Sequence, residues 1–148
     1  MKPGEYLKRR TELIEGVVPL SASQPIVARF DKHEDTRGFR IRITVPLRDG
    51  GSLLIAENVR FQKRKKCQPV EGGCYITDYG YTLRRSDDST VRFDFDPTMH
   101  PEIDTHPHHK HNEAQPAEAL QQGDPRRLSS FLTWALEARR VTRHNTSN

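Results

Sequence analysis

The stretch Phe39-Arg40-Ile41-Arg42-Ile43-Thr44-Val45 restricts the fold more than any other in the chain. Apolar and polar residues alternate strictly, which is the period of a strand with one buried face. Arg48-Asp49-Gly50-Gly51 follows, and Asp-Gly supplies the positive φ that a tight hairpin turn requires. Leu53–Phe61 then carries the returning strand, with Leu53, Ile55, Val59 and Phe61 on one face. Glu57 falls on that same face. A carboxylate among apolar neighbours is either paired and hydrogen-bonded, or swung to solvent by a bulge.

Three more stretches extend the sheet: Pro25–Asp31, Cys74–Arg85 and Val91–Phe95. In the second, alternation groups Tyr75, Tyr79, Tyr81 and Leu83. In the third, Val91, Phe93 and Phe95 oppose Arg92, Asp94 and Asp96. A two-residue loop at Asp87-Asp88 sets Tyr81 opposite Asp94 and Leu83 opposite Arg92, so the tyrosines share a face with the Arg/Asp pair. A loop one residue longer reverses that placement. The tyrosines serve either as site hydroxyls or as core rings with wet hydroxyls.

Helices are expected at both ends. Tyr6, Leu7, Leu13 and Ile14 make a partial apolar face that Gly16 and Pro19 end. Asp124-Pro125 reads as an N-cap and N1 proline, and Leu128, Phe131, Leu132, Ala135 and Leu136 form the stripe of an amphipathic helix over 126–140. Trp134 lies off that stripe, as a partner contact or a boundary residue. The expected architecture is a single α+β domain. A curled antiparallel sheet of about five strands has the C-terminal helix packed on one face. Its parts are an N-terminal helix or arm (1–24), the sheet (25–96), a His-rich loop and linker (97–123) and the helix (124–141).

With 33% hydrophobic and 30% charged residues in 148, the core is modest. No stretch approaches the roughly 18 apolar residues of a membrane span, and Met1–Thr11 lacks a signal-peptide apolar region. A cytoplasmic protein that meets no membrane is the expectation. Cys67 and Cys74, six residues apart, match no zinc knuckle and read as reduced thiols. The net charge of +4 is unevenly spread, concentrated in Lys8-Arg9-Arg10 and in Arg60, Lys63, Arg64, Lys65 and Lys66. Clustered cations attract phosphate backbones, so the second cluster is a candidate track for nucleic acid.

Five of the seven histidines lie between His100 and His111. Imidazole titrates near neutrality and is the commonest metal ligand, so a cluster this dense points to proton transfer, metal binding or phosphate contact. The alternative is a polar loop with nothing bound. Pro97, Pro101 and Pro107 argue that the segment is extended or a loop.

Several motifs together resemble the TumE-like toxins of bacterial toxin–antitoxin systems. They are Leu53-Leu54-Ile55-Ala56-Glu57-Asn58-Val59, then Tyr79-Gly80-Tyr81, then Arg92-Phe93-Asp94-Phe95, and last Pro107-His108-His109-Lys110-His111, followed by a polar segment and a C-terminal helix. The resemblance implies a growth-inhibiting toxin paired with a small helix-turn-helix antitoxin.

The residues themselves suggest a ribonuclease. RNA carries its own nucleophile, so cleavage needs a base for the 2′-OH, an acid for the departing oxygen and a cation for the phosphorane. His108 and His111 are the expected acid/base pair, with His106 or His109 as substitutes. Arg92 and Lys110 would hold phosphate, Glu57 or Asp94 would orient an imidazole, and Tyr81 would contact phosphate or stack on a base. That chemistry needs no cofactor. A second reading is a Zn²⁺ or Mn²⁺ site. In an extended segment His106 and His108 point one way and His109 and His111 the other. Two histidines with Asp94 or Glu57 would suit the ion, His106, His108 and Asp94 being the named set. A third is a nucleic-acid- or protein-binding module without catalysis.

Overall fold

The computed structural model describes residues 1–63 and 68–140. Helix α1 (Pro3–Glu15) leads into strands β1 (Val27–Lys32), β2 (Gly38–Pro46), β3 (Ser52–Arg60) and the two-residue β4 (Gln68–Pro69). After a short 3-10 turn come β5 (Tyr75–Arg84), β6 (Thr90–Phe95), β7 (His108–Asn112) and helix α2 (Leu128–Ala138). The strands form one antiparallel sheet in the order β1-β2-β3-β5-β6-β7, with β4 paired to β5. This is the expected α+β class, with a curled open sheet.

Both helices cover the same face. Phe39, Ile41, Ile43 and Val45 of β2, Leu53, Ile55 and Val59 of β3, and Val91, Phe93 and Phe95 of β6 point into it and are buried. From α2, Phe131 meets Tyr81 and Phe93 at ring separations of 5.4 and 6.1 Å. Each such fully buried side chain contributes about 1.5–3 kcal/mol. Trp134 packs edge-on against Phe93 at 4.8 Å, so it is a boundary residue of the core. Among the described residues the opposite face carries no helix, and Arg42, Thr44 and Leu54 are exposed on it.

Helix α2 starts later than the Asp124-Pro125 signal suggests. The Asp124 carboxylate is occupied by Lys110 Nζ (2.9 Å) and the Gln121 N–H (2.7 Å). Ser130 Oγ instead accepts from the Arg126 and Arg127 N–H groups at 3.3 Å. At the other end Arg85 Nε donates to the Ala138 carbonyl at 2.6 Å, tying the helix to the β5–β6 loop.

Two departures in the sheet decide where the functional side chains go. The β5–β6 loop is five residues, Arg85–Ser89, with Asp88 at φ 69°, so Arg84 pairs with Thr90 and Tyr81 with Phe93. The expected pairing of Tyr81 with Asp94 is therefore wrong by one residue, and the tyrosines share a face with phenylalanines rather than with Arg92 and Asp94. A bulge opposite Asn58/Val59 shifts the β3–β5 register. It leaves Ile76 buried in place of Tyr75. The second departure is β7 itself: His108–Asn112, expected in a loop, pairs along β6 from Phe95↔His108 to Val91↔Asn112.

Glu57 stays inside, 1% exposed. It accepts hydrogen bonds from the hydroxyls of Tyr6 (2.9 Å) and Tyr81, and from Arg10 Nε and Nη2, both at 3.1 Å. Burial, with Glu57 adding to it, holds both phenols well above their ordinary titration range, so they remain donors. Arg10, of the Lys8-Arg9-Arg10 cluster, thus clamps α1 to the sheet. Removing one partner of a buried ion pair strands the other, so Glu57→Ala should lower unfolding free energy by about 3–5 kcal/mol in urea denaturation. A loss below about 1 kcal/mol would show that the clamp is not structural.

Candidate active site on the helix-free face

Alternation along β6 and β7 sorts the candidates between two faces. Arg92, Asp94, His109 and His111 project to the open face, in the pairs Arg92↔His111 and Asp94↔His109. The Pro97–Pro107 loop brings His100 over them. It is pinned where Asp96 Oδ1 accepts from the Thr98 N–H (2.9 Å) and hydroxyl (2.7 Å), and where Asp96 N–H donates to the Pro107 carbonyl (2.9 Å). His100 adopts a positive φ of 54°, a conformation that non-glycine residues rarely take.

The geometry of this group is tight. His109 Nε2 lies 3.1 Å and His111 Nε2 3.7 Å from Asp94 Oδ2. Arg92 Nε sits 3.0 Å from the same carboxylate. The three imidazoles meet edge to face, with ring separations of 4.9 Å for His100–His109 and 5.2 Å for His109–His111. One nitrogen from each lies within 4.8 Å of the others.

Hydrogen bonds assign the tautomers. His111 Nδ1 is 3.0 Å from the Gln115 carbonyl, which only accepts, so Nδ1 carries a proton, and in the neutral ring Nε2 is the nitrogen left with a lone pair. His100 Nδ1 is 3.2 Å from the Glu102 carboxylate, leaving its Nε2 free in the neutral ring. His109, 3% exposed, is lowered in pKa by burial, against the pull of Asp94, and donates from Nε2 to that carboxylate.

The other candidates lie elsewhere. His108 and Lys110 face the helices, so the expected His108/His111 pair is divided by the sheet. His108 Nδ1 is 3.2 Å from the Tyr79 hydroxyl, and its ring packs on Phe95 at 5.0 Å. Lys110 is 8% exposed and its ammonium is paired with Asp124. Glu57 and Tyr81 are consumed in the α1 clamp, and Tyr81, fully buried, has no face for a base. His106 is not in the group either, and its Nδ1 is buried with no hydrogen-bond partner among the described residues. The expected metal set His106, His108 and Asp94 is corrected accordingly: the imidazoles that converge are His100, His109 and His111. Arg60 pairs with Asp35, Lys63 is exposed, and Arg64, Lys65, Lys66 and Cys67 lie outside the described residues. Cys74 is a buried free thiol. His100 belongs to the histidine-dense stretch of the sequence, but it lies nine or more residues from its partners His109 and His111, and no spacing in the chain singles it out.

The family model for the toxin TumE matches residues 17–140. The chain belongs to the TumE toxin family. Membership makes it a toxin and implies a partner antitoxin. Comparison with curated proteins and with solved structures finds no match. No helix among the described residues is long and apolar enough to cross a membrane. The TumE match contains every member of the open-face cluster, whereas Tyr6 and Arg10 of the clamp precede it.

His108 offers a check on which face each histidine occupies. Burial, with Arg126 and His109 adding to it, pushes its pKa down to about 4. The unfolded chain protonates this imidazole near pH 6.5. Between those values the unfolded state binds more protons, so stability is full above about 6.5 and falls as pH drops toward 4. Thermal unfolding across that window should show a shallower decline in His108→Phe than in the parent. Identical declines would mean that His108 is not buried as a neutral ring.

Proposed function

We propose that this TumE-family toxin is a ribonuclease and that its cleavage site is the open-face cluster. The observation that carries this is the single carboxylate of Asp94 shared by His109, His111 and Arg92, with His100 closing over them. In this reading His111 Nε2 removes the proton of the RNA 2′-OH, and the new O2′–phosphorus bond forms as the phosphorus–O5′ bond breaks. Protonated His100 delivers a proton to the departing O5′. Arg92, half exposed beside the imidazoles, stabilises the added charge on the phosphorane. Asp94 and His109 position the other rings. The products are a 2′,3′-cyclic phosphate and a 5′-hydroxyl. The toxin acts on cytoplasmic RNA and is restrained by a helix-turn-helix antitoxin.

A second reading has its own support. Metal-binding histidines characteristically donate their second ring nitrogen to a carboxylate or carbonyl, as His100 does to Glu102 and His111 to Gln115. His100, His109 and His111 fit a Zn²⁺ or Mn²⁺ ion, which when bound would act as a Lewis acid or activate a water. In that case Asp94 orients His109, and Arg92 binds the substrate phosphate.

Labelled RNA incubated with the protein distinguishes them. Cleavage that persists in EDTA and leaves cyclic phosphate ends supports acid/base chemistry. Cleavage lost in EDTA and restored by Zn²⁺ or Mn²⁺ supports the metal. His111→Ala and His100→Ala should each reduce cleavage by about 10²–10⁴-fold and relieve growth inhibition, while His106→Ala stays within a few-fold of the parent. RNA left intact by folded parent protein in every condition would remove the ribonuclease reading.

A further inference from the structure

The helix-free face holds a second feature beside the cluster. A trough of about 400 Å³ runs over it, lined by Val27 and Arg29 of β1, Arg42 and Thr44 of β2, Leu54 and Ala56 of β3, Gly80 and Thr82 of β5, and Arg92 of β6. None of its lining residues is acidic. The strand registers set its lining in two parallel rows that continue beyond the trough into the cluster, where Asp94, His109 and His111 stand. One runs Arg29↔Arg42↔Ala56↔Gly80↔Asp94↔His109. The other runs Val27↔Thr44↔Leu54↔Thr82↔Arg92↔His111. Each row therefore starts at the β1 edge and ends on an imidazole of the cluster. At about 4.8 Å per strand gap, the track is roughly 24 Å long.

Its chemistry changes along its length. Arg29 and Arg42 sit side by side and are exposed, and neither has an acidic partner among the described residues. Arg10, Arg60, Arg84, Arg92 and Arg139 are each neutralised by a carboxylate. The middle of the floor is Ala56 and Gly80. A Cβ at Gly80 would stand 3.2 Å from Asp94 Oδ1, so glycine there keeps the floor low and gives the carboxylate room to lean toward the histidines. Leu54, 44% exposed, presents an apolar surface between the arginine pair and Thr82.

We infer that this trough is the binding track for the backbone of single-stranded RNA, with Arg29 and Arg42 holding phosphates away from the scissile one. Guanidinium groups form two-point contacts with phosphate and stack on bases, and a single strand can lie flat on a sheet as a duplex cannot. The inference rests on the ribonuclease reading for the direction of the track, and its test is independent of cleavage.

The probe is a fluorescent single-stranded 2′-O-methyl RNA, which lacks the attacking hydroxyl, titrated with the full chain at several salt concentrations. The double variant Arg29→Ala/Arg42→Ala should bind about tenfold more weakly, and its log–log salt slope should be shallower by about 1.4, at about 0.7 per phosphate on a single strand. Arg29→Lys/Arg42→Lys should recover the slope, and Lys8→Ala on α1 should leave it unchanged. Circular dichroism confirms that the variants are folded. Unchanged affinity and slope in the double alanine variant, an equal loss in Lys8→Ala, no RNA binding by the parent, or a loss of antitoxin binding with RNA binding intact would each overturn the track. Binding that depends on Arg29 and Arg42 in a protein that cleaves no RNA would retain the track and remove the ribonuclease reading instead.

Discussion

Two-residue alternation, interrupted only where the bulge opposite Asn58/Val59 shifts the β3–β5 register among the described residues, governs this molecule. Because α1 and α2 pack on one face of a single sheet, residues of the strands beneath them, β2, β3, β5, β6 and β7, are divided between the core and the open face, while the edge strand β1 is exposed throughout. Core packing fixes the parity of each strand through Phe39, Ile55, Tyr81 and Phe93. The parity of Asp94, His109 and His111 follows from that of their strands, and their contacts with one another and with Arg92 and Gln115 are made on the open face. The outward face is thus free to carry charge and titratable rings, since stability is supplied from beneath.

Glu57 shows how a polar group enters the covered face without breaking it. Its two oxygens receive four hydrogen bonds from Tyr6, Arg10 and Tyr81, so charge and lone pairs are both satisfied. The arrangement mimics a catalytic centre: a buried carboxylate, two phenols and a guanidinium. Its groups are mutually saturated, however, and its function is to dock α1. The open-face group differs in a chemically decisive way. His111 and His100 each keep a ring nitrogen uncommitted, because a carbonyl and a carboxylate hold the other one.

The strands β2, β3 and β6 and the amphipathic stripe of α2 were legible because alternation and helical periodicity report burial directly. Strand β7 was not. His108-His109-Lys110-His111 has no apolar alternation, since its inner positions are filled by an imidazole against Phe95 and a lysine paired with Asp124. The β5–β6 register was missed for a different reason. Asp87 and Asp88 suggest a two-residue turn, but Arg85–Ser89 closes as a five-residue loop with hydrogen bonds from Arg85 N–H to Ser89 O and from Asp88 N–H to Arg85 O. That single difference moved Tyr81 from the expected site into the core, and it separated Glu57 from Asp94. The histidines were correctly singled out as a group, while their division into inward and outward sets required the pairing of β7 with β6.

The same division connects binding to chemistry. Cross-strand neighbours on one face lie about 5 Å apart whatever their separation in sequence, so a row of six strands converts distant positions into a continuous surface. Arg29 and His109 are eighty residues apart in the chain and occupy opposite ends of one row. A phosphate chain laid along that row would pass from two exposed guanidiniums, over a floor flattened by Ala56 and Gly80, to a carboxylate that orients imidazoles. Gly80 belongs to both parts, because the missing side chain that lowers the floor is also what admits the Asp94 carboxylate. A side chain at that position would therefore disturb substrate placement and histidine orientation together, without touching the helix-covered core that holds the sheet in shape.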